Sequence, residues 1–169
     1  MSDKVKVALI GAGGMANSVH YPSLVTFEDV ELVGLCDVVP EKLKATAEKF
    51  KIEKTYSDYR AMLEDTAPDA VYVLMPPHHL FDLAIHVLGR KLHLFIEKPP
   101  GVTAEQCRQM ANCAEANGCV SLVGFNRRYI PLMRMCRDAV RDHGGPVLQA
   151  MSSFYKWHTA GPYYAGAID

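Results

Sequence analysis

The junction at residues 10–16 narrows the possible folds more than any other stretch of the chain. An apolar, β-branched run, Lys4-Val5-Lys6-Val7-Ala8-Leu9-Ile10, stops abruptly at Gly11-Ala12-Gly13-Gly14-Met15-Ala16. Such a run ending on glycine reads as a buried strand, and residues 14–19 can open a helix directly behind it. The segment fits G-x-G-x-x-A, with Gly11, Gly13 and Ala16 in the small positions. Gly11 permits a tight strand-to-helix turn. Gly13 lets the backbone approach a diphosphate, and Ala16 lets the helix lie against the strand. The helix start, at Gly14 and Met15, then offers unpaired amides and a positive dipole end to phosphate groups. The same pattern, taken alone, also suits a tight turn with no ligand.

The rest of the chain supplies the context such a turn needs. Val30–Asp37 reads as a second strand that ends in an acid, and Pro40 opens a helix through Phe50 with Leu43, Ala47 and Phe50 on its apolar face. Thr55-Tyr56 is a short third strand, followed by a helix over Asp58–Glu64 that Ser57 is placed to cap. Asp69–Leu74, His93–Ile96 and Cys119–Val123 are further strands. Helices over Phe81–Leu88 and from Thr103-Ala104-Glu105-Gln106, which has the form of a capping box, to Asn117-Gly118 separate them. Pro22 is expected to interrupt the first helix, with Ser23–Phe27 resuming it. Strands alternating with helices imply an α/β fold: a Rossmann-type, doubly wound parallel sheet covered on both faces.

That pattern stops near residue 125. A helix over Ile130–Asp142 ends at Gly144-Gly145-Pro146, and Val147–Trp157 reads as a longer strand with Ser, Tyr and Lys on one face. We therefore expect a dinucleotide-binding domain over 1–125. Something else starts after it, over residues 126–169.

Composition excludes several function classes. Of the 169 residues 49% are apolar, and 18 Lys and Arg balance 19 acids, too apolar for disorder and too neutral for a nucleic-acid partner. No apolar run reaches the roughly 18 residues of a membrane span, and the start lacks the apolar stretch of a secretory signal, so a cytoplasmic protein is expected. The five cysteines, Cys36, Cys107, Cys113, Cys119 and Cys136, form no CxxC pair and are expected to be reduced thiols, most of them buried. His78-His79 has no metal-binding spacing around it, and no metal is expected.

Asp37, at the end of the second strand, can accept hydrogen bonds from both hydroxyls of a ribose and repel a 2′-phosphate. That favours NAD as the cofactor, with NADP possible because Lys42 and Lys44 lie close behind. The alternative is a cap or turn residue before Pro40.

Three further stretches resemble the Gfo/Idh/MocA family, named after glucose–fructose oxidoreductase, inositol 2-dehydrogenase and a rhizopine-catabolism protein. Glu97-Lys98-Pro99 is similar to its EKP motif, Gly124-Phe125-Asn126-Arg127-Arg128-Tyr129 to its GFN-R-R/aromatic segment, and Met75-Pro76-Pro77 to its TP-containing turn. The resemblance spans essentially the whole chain, with the motifs in the family's order. It implies NAD(P)-dependent hydride transfer between the nicotinamide and a hydroxyl-bearing carbon of a sugar, inositol or related polyol. By resemblance, Lys98 polarises or protonates the substrate oxygen and contacts the nicotinamide ribose. A lysine at a strand tip offers charge to a developing alkoxide, though without its neighbours it would read as a solvated lysine beside Glu97. Glu97 would orient Lys98 or sit under the cofactor, and the bond before Pro99 is a candidate cis peptide. Met75 and Pro76 would lie along the cofactor. Asn126 and Arg127 would face substrate or cofactor, the alternative for Arg127-Arg128 being an interdomain ion pair. Departures from the family are Met75 in place of Thr or Ser, Leu80 in place of a common His, and Pro100 in place of Leu or Met.

Members of that family run to about twice this length, more than one ordinary domain. Ala165-Gly166-Ala167-Ile168-Asp169 resembles the start of their D-x-x-x-H segment, which makes Asp169 the acid and puts the catalytic His beyond it. The chain is thus expected to be the N-terminal part of a longer protein, a homo-oligomer when complete, and by itself a dinucleotide binder without turnover. The resemblance makes residues 126–169 the incomplete start of a second α/β domain for substrate binding and dimerisation. Tyr155, Trp157, His158, Tyr163 and Tyr164 would line a sugar site or pack in the second domain. The rival function is a nucleotide-sensing, regulatory protein that keeps the fold without the chemistry.

Overall fold

Six strands form one sheet in this structure, a computed structural model that describes residues 4–153. They are β1 (Val5–Ile10), β2 (Val30–Cys36), β3 (Thr55–Tyr56), β4 (Ala70–Val73), β5 (His93–Ile96) and β6 (Ser121–Val123). All pairs are parallel, in the order β3-β2-β1-β4-β5-β6. The chain winds outward from β1 to β3, then returns to the other side of β1 and winds outward again. The reversal leaves a crevice beyond the carboxyl ends of β1 and β4, where doubly wound sheets bind their ligands.

Side chains alternate across the sheet, and each face has its own core. Leu9 packs with Ala16, Tyr21, Leu24 and Leu35 on one face, whereas Ala8 and Ile10 pack with Met62, Val71, Leu80 and Leu88 on the other. Strands buried on both faces must be apolar at nearly every position, which is why β1 reads as an unbroken run.

The helices are α1 (Tyr21–Leu24), α2 (Pro40–Phe50), α3 (Tyr59–Thr66), α4 (Pro77–Gly89), α5 (Ala104–Ala116) and α6 (Pro131–His143). Several depart from expectation for local reasons. The first helix crosses Pro22 instead of breaking there. Ala16–His20 is wound as a π-helix that runs into α1, with the Tyr21 amide donating to the carbonyl of Ala16. The wider turn accommodates a residue that has no amide hydrogen to donate. Asp58, not Ser57, caps α3, its Oδ1 accepting from the Arg60 amide at 2.9 Å. The helix after β4 starts at Pro77 instead of Phe81, because proline fits the first turn. Thr103 caps α5 as expected, while Gln106 reaches back to the amide of Val102, at 2.8 Å.

Only Cys36 of the five cysteines is buried, contrary to expectation. Cys107, Cys113 and Cys119 are half-buried on or beside α5, and Cys136 is exposed on α6. Burial, reinforced by the charges of Asp37 and Asp58, pushes the Cys36 thiol up to about 11.

The chain divides into two compact units, Met1–Gly124 and Phe125–Asp169. The described part of the second holds a 3₁₀ turn, Asn126–Tyr129, and then α6, which ends at Gly144 in the left-handed region. Residues 147–153 form no strand, against the expected strand over Val147–Trp157, whose remainder lies outside the described residues. A strand exists through its ladder, and no described segment pairs with this one. Among the described residues no helix is long and apolar enough to cross a membrane.

Leu80, placed by resemblance in the cofactor turn, is fully buried in the core with Val71, Ala84 and Leu88. Leu80→Ala is expected to lower unfolding free energy by about 3 kcal/mol, as for other emptied core sites. Urea denaturation measures this, and a loss below about 1 kcal/mol would mean that Leu80 faces the crevice instead.

Candidate cofactor site

The register of the sheet assembles the site. Ile10 lies beside Val73, Val73 beside Ile96, and Ile96 beside Val123. The strands therefore end at one level, and Gly11, Leu74, Glu97 and Gly124 leave the sheet side by side. Gly11 and Glu97 are separated by two strand spacings, about 10 Å.

Gly11 has φ +104, and a Cβ there would lie 2.5 Å from the carbonyl oxygen of Leu74. Both the turn and the close approach require glycine. Its amide donates to Cys36 O at 2.8 Å, and its carbonyl accepts the hydroxyl of Tyr21, which is fully buried. Burial, with Asp37 and Cys36 nearby, drives the Tyr21 phenol far above its ordinary range, so it stays a donor. Asn17 closes the loop from the helix side. Its Nδ2 donates to Ala12 O at 3.0 Å and to Gly13 O at 3.2 Å, and to Thr46 Oγ1 at 2.9 Å.

Gly13 and Gly14 differ from Gly11. A Cβ at either would meet no protein atom within 4 Å, and neither has a positive φ. The protein's own packing places no demand on Gly13, which leaves the backbone there open to close approach by an outside group. With Ala12 and Ala16 buried below and Met15 exposed at the rim, the loop fits a diphosphate held by backbone amides of the first helical turn.

Asp37 takes the turn place expected of it and also reaches the glycine loop. Its Oδ2 accepts from the Ala12 amide at 2.6 Å, tying the carboxylate to the glycine loop, and its Oδ1 accepts from Val39 at 2.8 Å, as a turn residue does. Each oxygen keeps a second lone pair for a ribose hydroxyl. The carboxylate stands on the wall of a cleft of about 540 Å³ that also includes Val38, Ser57, Arg60, Met75 and His79. The basic group at this cleft is Arg60, lying over the Tyr59 ring at 4.7 Å. Lys44 instead extends toward Glu48, at 4.0 Å. Pro76 follows Met75 as the residue that caps α4.

At the tip of β5, Glu97 is bonded at both oxygens. Oε1 meets His20 Nε2 at 2.7 Å, and Oε2 accepts from the Lys98 amide at 3.0 Å. Lys98 itself is exposed at the crevice end of the sheet, and the Lys98–Pro99 bond is cis. Asn126 and Arg127 lie in the turn that opens the second unit, and Asp169 and the aromatic cluster from Tyr155 lie outside the described residues. Among the described residues, no group of three metal-ligating side chains could hold an ion.

Tyr21, Asn17, Arg60 and His20 were not singled out from the sequence. Asn17 carried a signal, four residues after Gly13 and so one helical turn above it. His20 carried none, because its partner is 77 residues away.

The geometry has counterparts among known proteins. A profile described as "Oxidoreductase family, NAD-binding Rossmann fold", for GFO_IDH_MocA, matches residues 5–125. D-glucoside 3-dehydrogenase of Escherichia coli is 34% identical over 83% of the chain and 40% of its own length. Inositol 2-dehydrogenase of Salmonella typhimurium is 33% identical over 74% of the chain and 38% of its own length. Among solved structures, a Gfo/Idh/MocA oxidoreductase of Vibrio cholerae shares 32% identity at TM-score 0.74, covering 82% of this chain and 44% of that one. The chain thus spans about 40% of the curated relatives it matches. A strand–glycine–helix cradle, the 3-2-1-4-5-6 sheet order and these likenesses agree, and the chain belongs to the Gfo/Idh/MocA oxidoreductase family, with its NAD-binding Rossmann domain.

Proposed function

We propose that this chain provides the NAD-binding part and one catalytic group, Lys98, of a dehydrogenase acting on a hydroxyl-bearing carbon of a sugar, inositol or related polyol. The supporting observation is the shared level of the strand ends. It puts the glycine loop and the exposed Lys98 on one edge of the sheet, two strands apart. Bound NAD supplies the ring carbon that accepts or returns the hydride. Lys98 presents a positive charge to the substrate oxygen, favouring its alkoxide character as the hydride leaves the adjacent carbon, and the hydroxyl proton passes to the His that the resemblance places beyond Asp169. Asp37 holds the adenosine ribose and disfavours a 2′-phosphate, so NAD is preferred to NADP. Glucoside and inositol dehydrogenases among the relatives support the polyol class. Asn126, Arg127 and the acid Asp169 would complete the substrate side within a longer, homo-oligomeric protein, the residues 126–169 belonging to its second domain. The chain by itself binds the dinucleotide without turning over.

Two measurements test this reading. Asp37→Asn is expected to weaken NADH binding about tenfold, roughly one charge-assisted hydrogen bond, and NADPH binding much less. A parent chain that binds NADPH more tightly than NADH would remove the role of Asp37. In the full gene product, Lys98→Ala is expected to lower kcat/KM at least about 100-fold with NADH affinity within about threefold. Activity near the parent rate would favour the regulatory reading of the fold.

A further inference from the structure

The π-helical stretch after the glycine loop aims one side chain across the sheet. His20 lies edge-on to Phe95, with ring centroids 5.2 Å apart, and edge-on to Tyr72 at 6.3 Å. Tyr72 and Phe95 are themselves stacked at 4.4 Å, so β4 and β5 present a flat aromatic floor. The imidazole rests on it, and its Nε2 reaches Glu97 Oε1 at 2.7 Å. Only 12% of the His20 side chain and 13% of the Glu97 side chain are exposed. The other side of the carboxylate is closed by Gly124, where a Cβ would lie 3.1 Å from Oε1.

The carboxylate therefore has little room to turn. One oxygen is held by His20, from the helix that carries the diphosphate cradle, and the other accepts the Lys98 amide at 3.0 Å. A carboxylate only accepts, so the proton of the first contact sits on His20 Nε2. Both contacts are charge-assisted, and the first is largely screened from water, where such bonds are strongest. A chain of two hydrogen bonds thus crosses β4, from the helix behind the glycine loop to the backbone of Lys98.

We infer that His20 is a positioning residue: through Glu97 it fixes the backbone of Lys98 relative to the diphosphate loop. The inference rests on the proposed role of Lys98 for its functional meaning, but its test does not. His20 touches neither substrate nor reacting atoms. It acts by denying the Glu97 carboxylate alternative rotamers, each of which would release the Lys98 amide.

Amide-resolved hydrogen exchange on the full chain tests this, with ADP-ribose as a probe that fills the diphosphate cradle but has no nicotinamide. His20→Phe keeps a ring on the aromatic floor and removes the donor. It is expected to speed exchange at Lys98 about tenfold, with amides of β1 and β4 unchanged and ADP-ribose affinity within about threefold. His20→Gln, which restores an N–H donor, is expected to return Lys98 exchange most of the way to the parent value. If His20→Phe proves too unstable, Glu97→Gln, which keeps the shape and removes the charge, is expected to speed exchange at Lys98 in the same way. Unchanged Lys98 exchange in His20→Phe, or in Glu97→Gln where that replaces it, would overturn the inference. So would acceleration spread evenly over β1 and β4. A parent chain that does not bind ADP-ribose would instead overturn the cofactor reading, which separates the two failures.

Discussion

The carbonyl oxygen of Leu74 lies only 2.5 Å from where the first side-chain atom of residue 11 would have to be. That contact, between the end of β4 and the turn after β1, sets the floor of the whole site. It forces glycine at position 11 and draws the glycine loop down between two strand ends. The loop is then held from three other directions, by the Tyr21 hydroxyl, the Asp37 carboxylate and the Asn17 amide. A loop fixed in this way has its amides oriented before any ligand arrives, so little ordering entropy remains to be lost on binding.

Two kinds of glycine share the loop, and they separate fold from function. Gly11 answers to the protein, through a positive φ and a crowded Cβ position. Gly13 answers to nothing in the protein, since a side chain there would project into open space. Tyr21, buried, and Asn17, half-buried, hold the loop from the helix side, while Asp37 and the cleft beside it extend the site toward β2 and β3. On the far side of β4, Glu97 links the helix behind the loop to Lys98. The crevice at the switch point is thus bounded by groups that are all tied to one another through the first helix.

Much of this was legible in the sequence because the governing signals are local. An apolar run, a glycine turn and a helix occupy consecutive residues, and the acid at the end of the next strand falls at a fixed interval. The parallel, doubly wound sheet follows from strands alternating with helices, and the cis bond before Pro99 from its motif. What was not legible depends on partners far away in the chain. Pro22 looked like a break because proline ordinarily costs a hydrogen bond, and only a π turn removes that cost. Leu80 read as a departure, a leucine in place of a common His, and its burial among the residues of β4 and α4 depends on partners that the sequence does not display. The strand expected over Val147–Trp157 had the right residues but, over residues 147–153, no neighbour among the described residues to pair with. Cysteines were expected inside because they behave as small apolar residues, yet three stand half-buried on or beside α5 and one is exposed on α6. His20 could not have been matched to Glu97 by any spacing rule.

The bend at Gly13 leaves room that the protein's own packing does not use, and a diphosphate is the group proposed to fill it. Titration of NADH into a Gly13→Val variant, with thermal unfolding measured alongside, tests it most directly. A Tm within about 2 °C of the parent is expected, because the new Cβ meets no protein atom within 4 Å, together with NADH binding weakened at least about 100-fold. NADH bound as tightly as by the parent would contradict it.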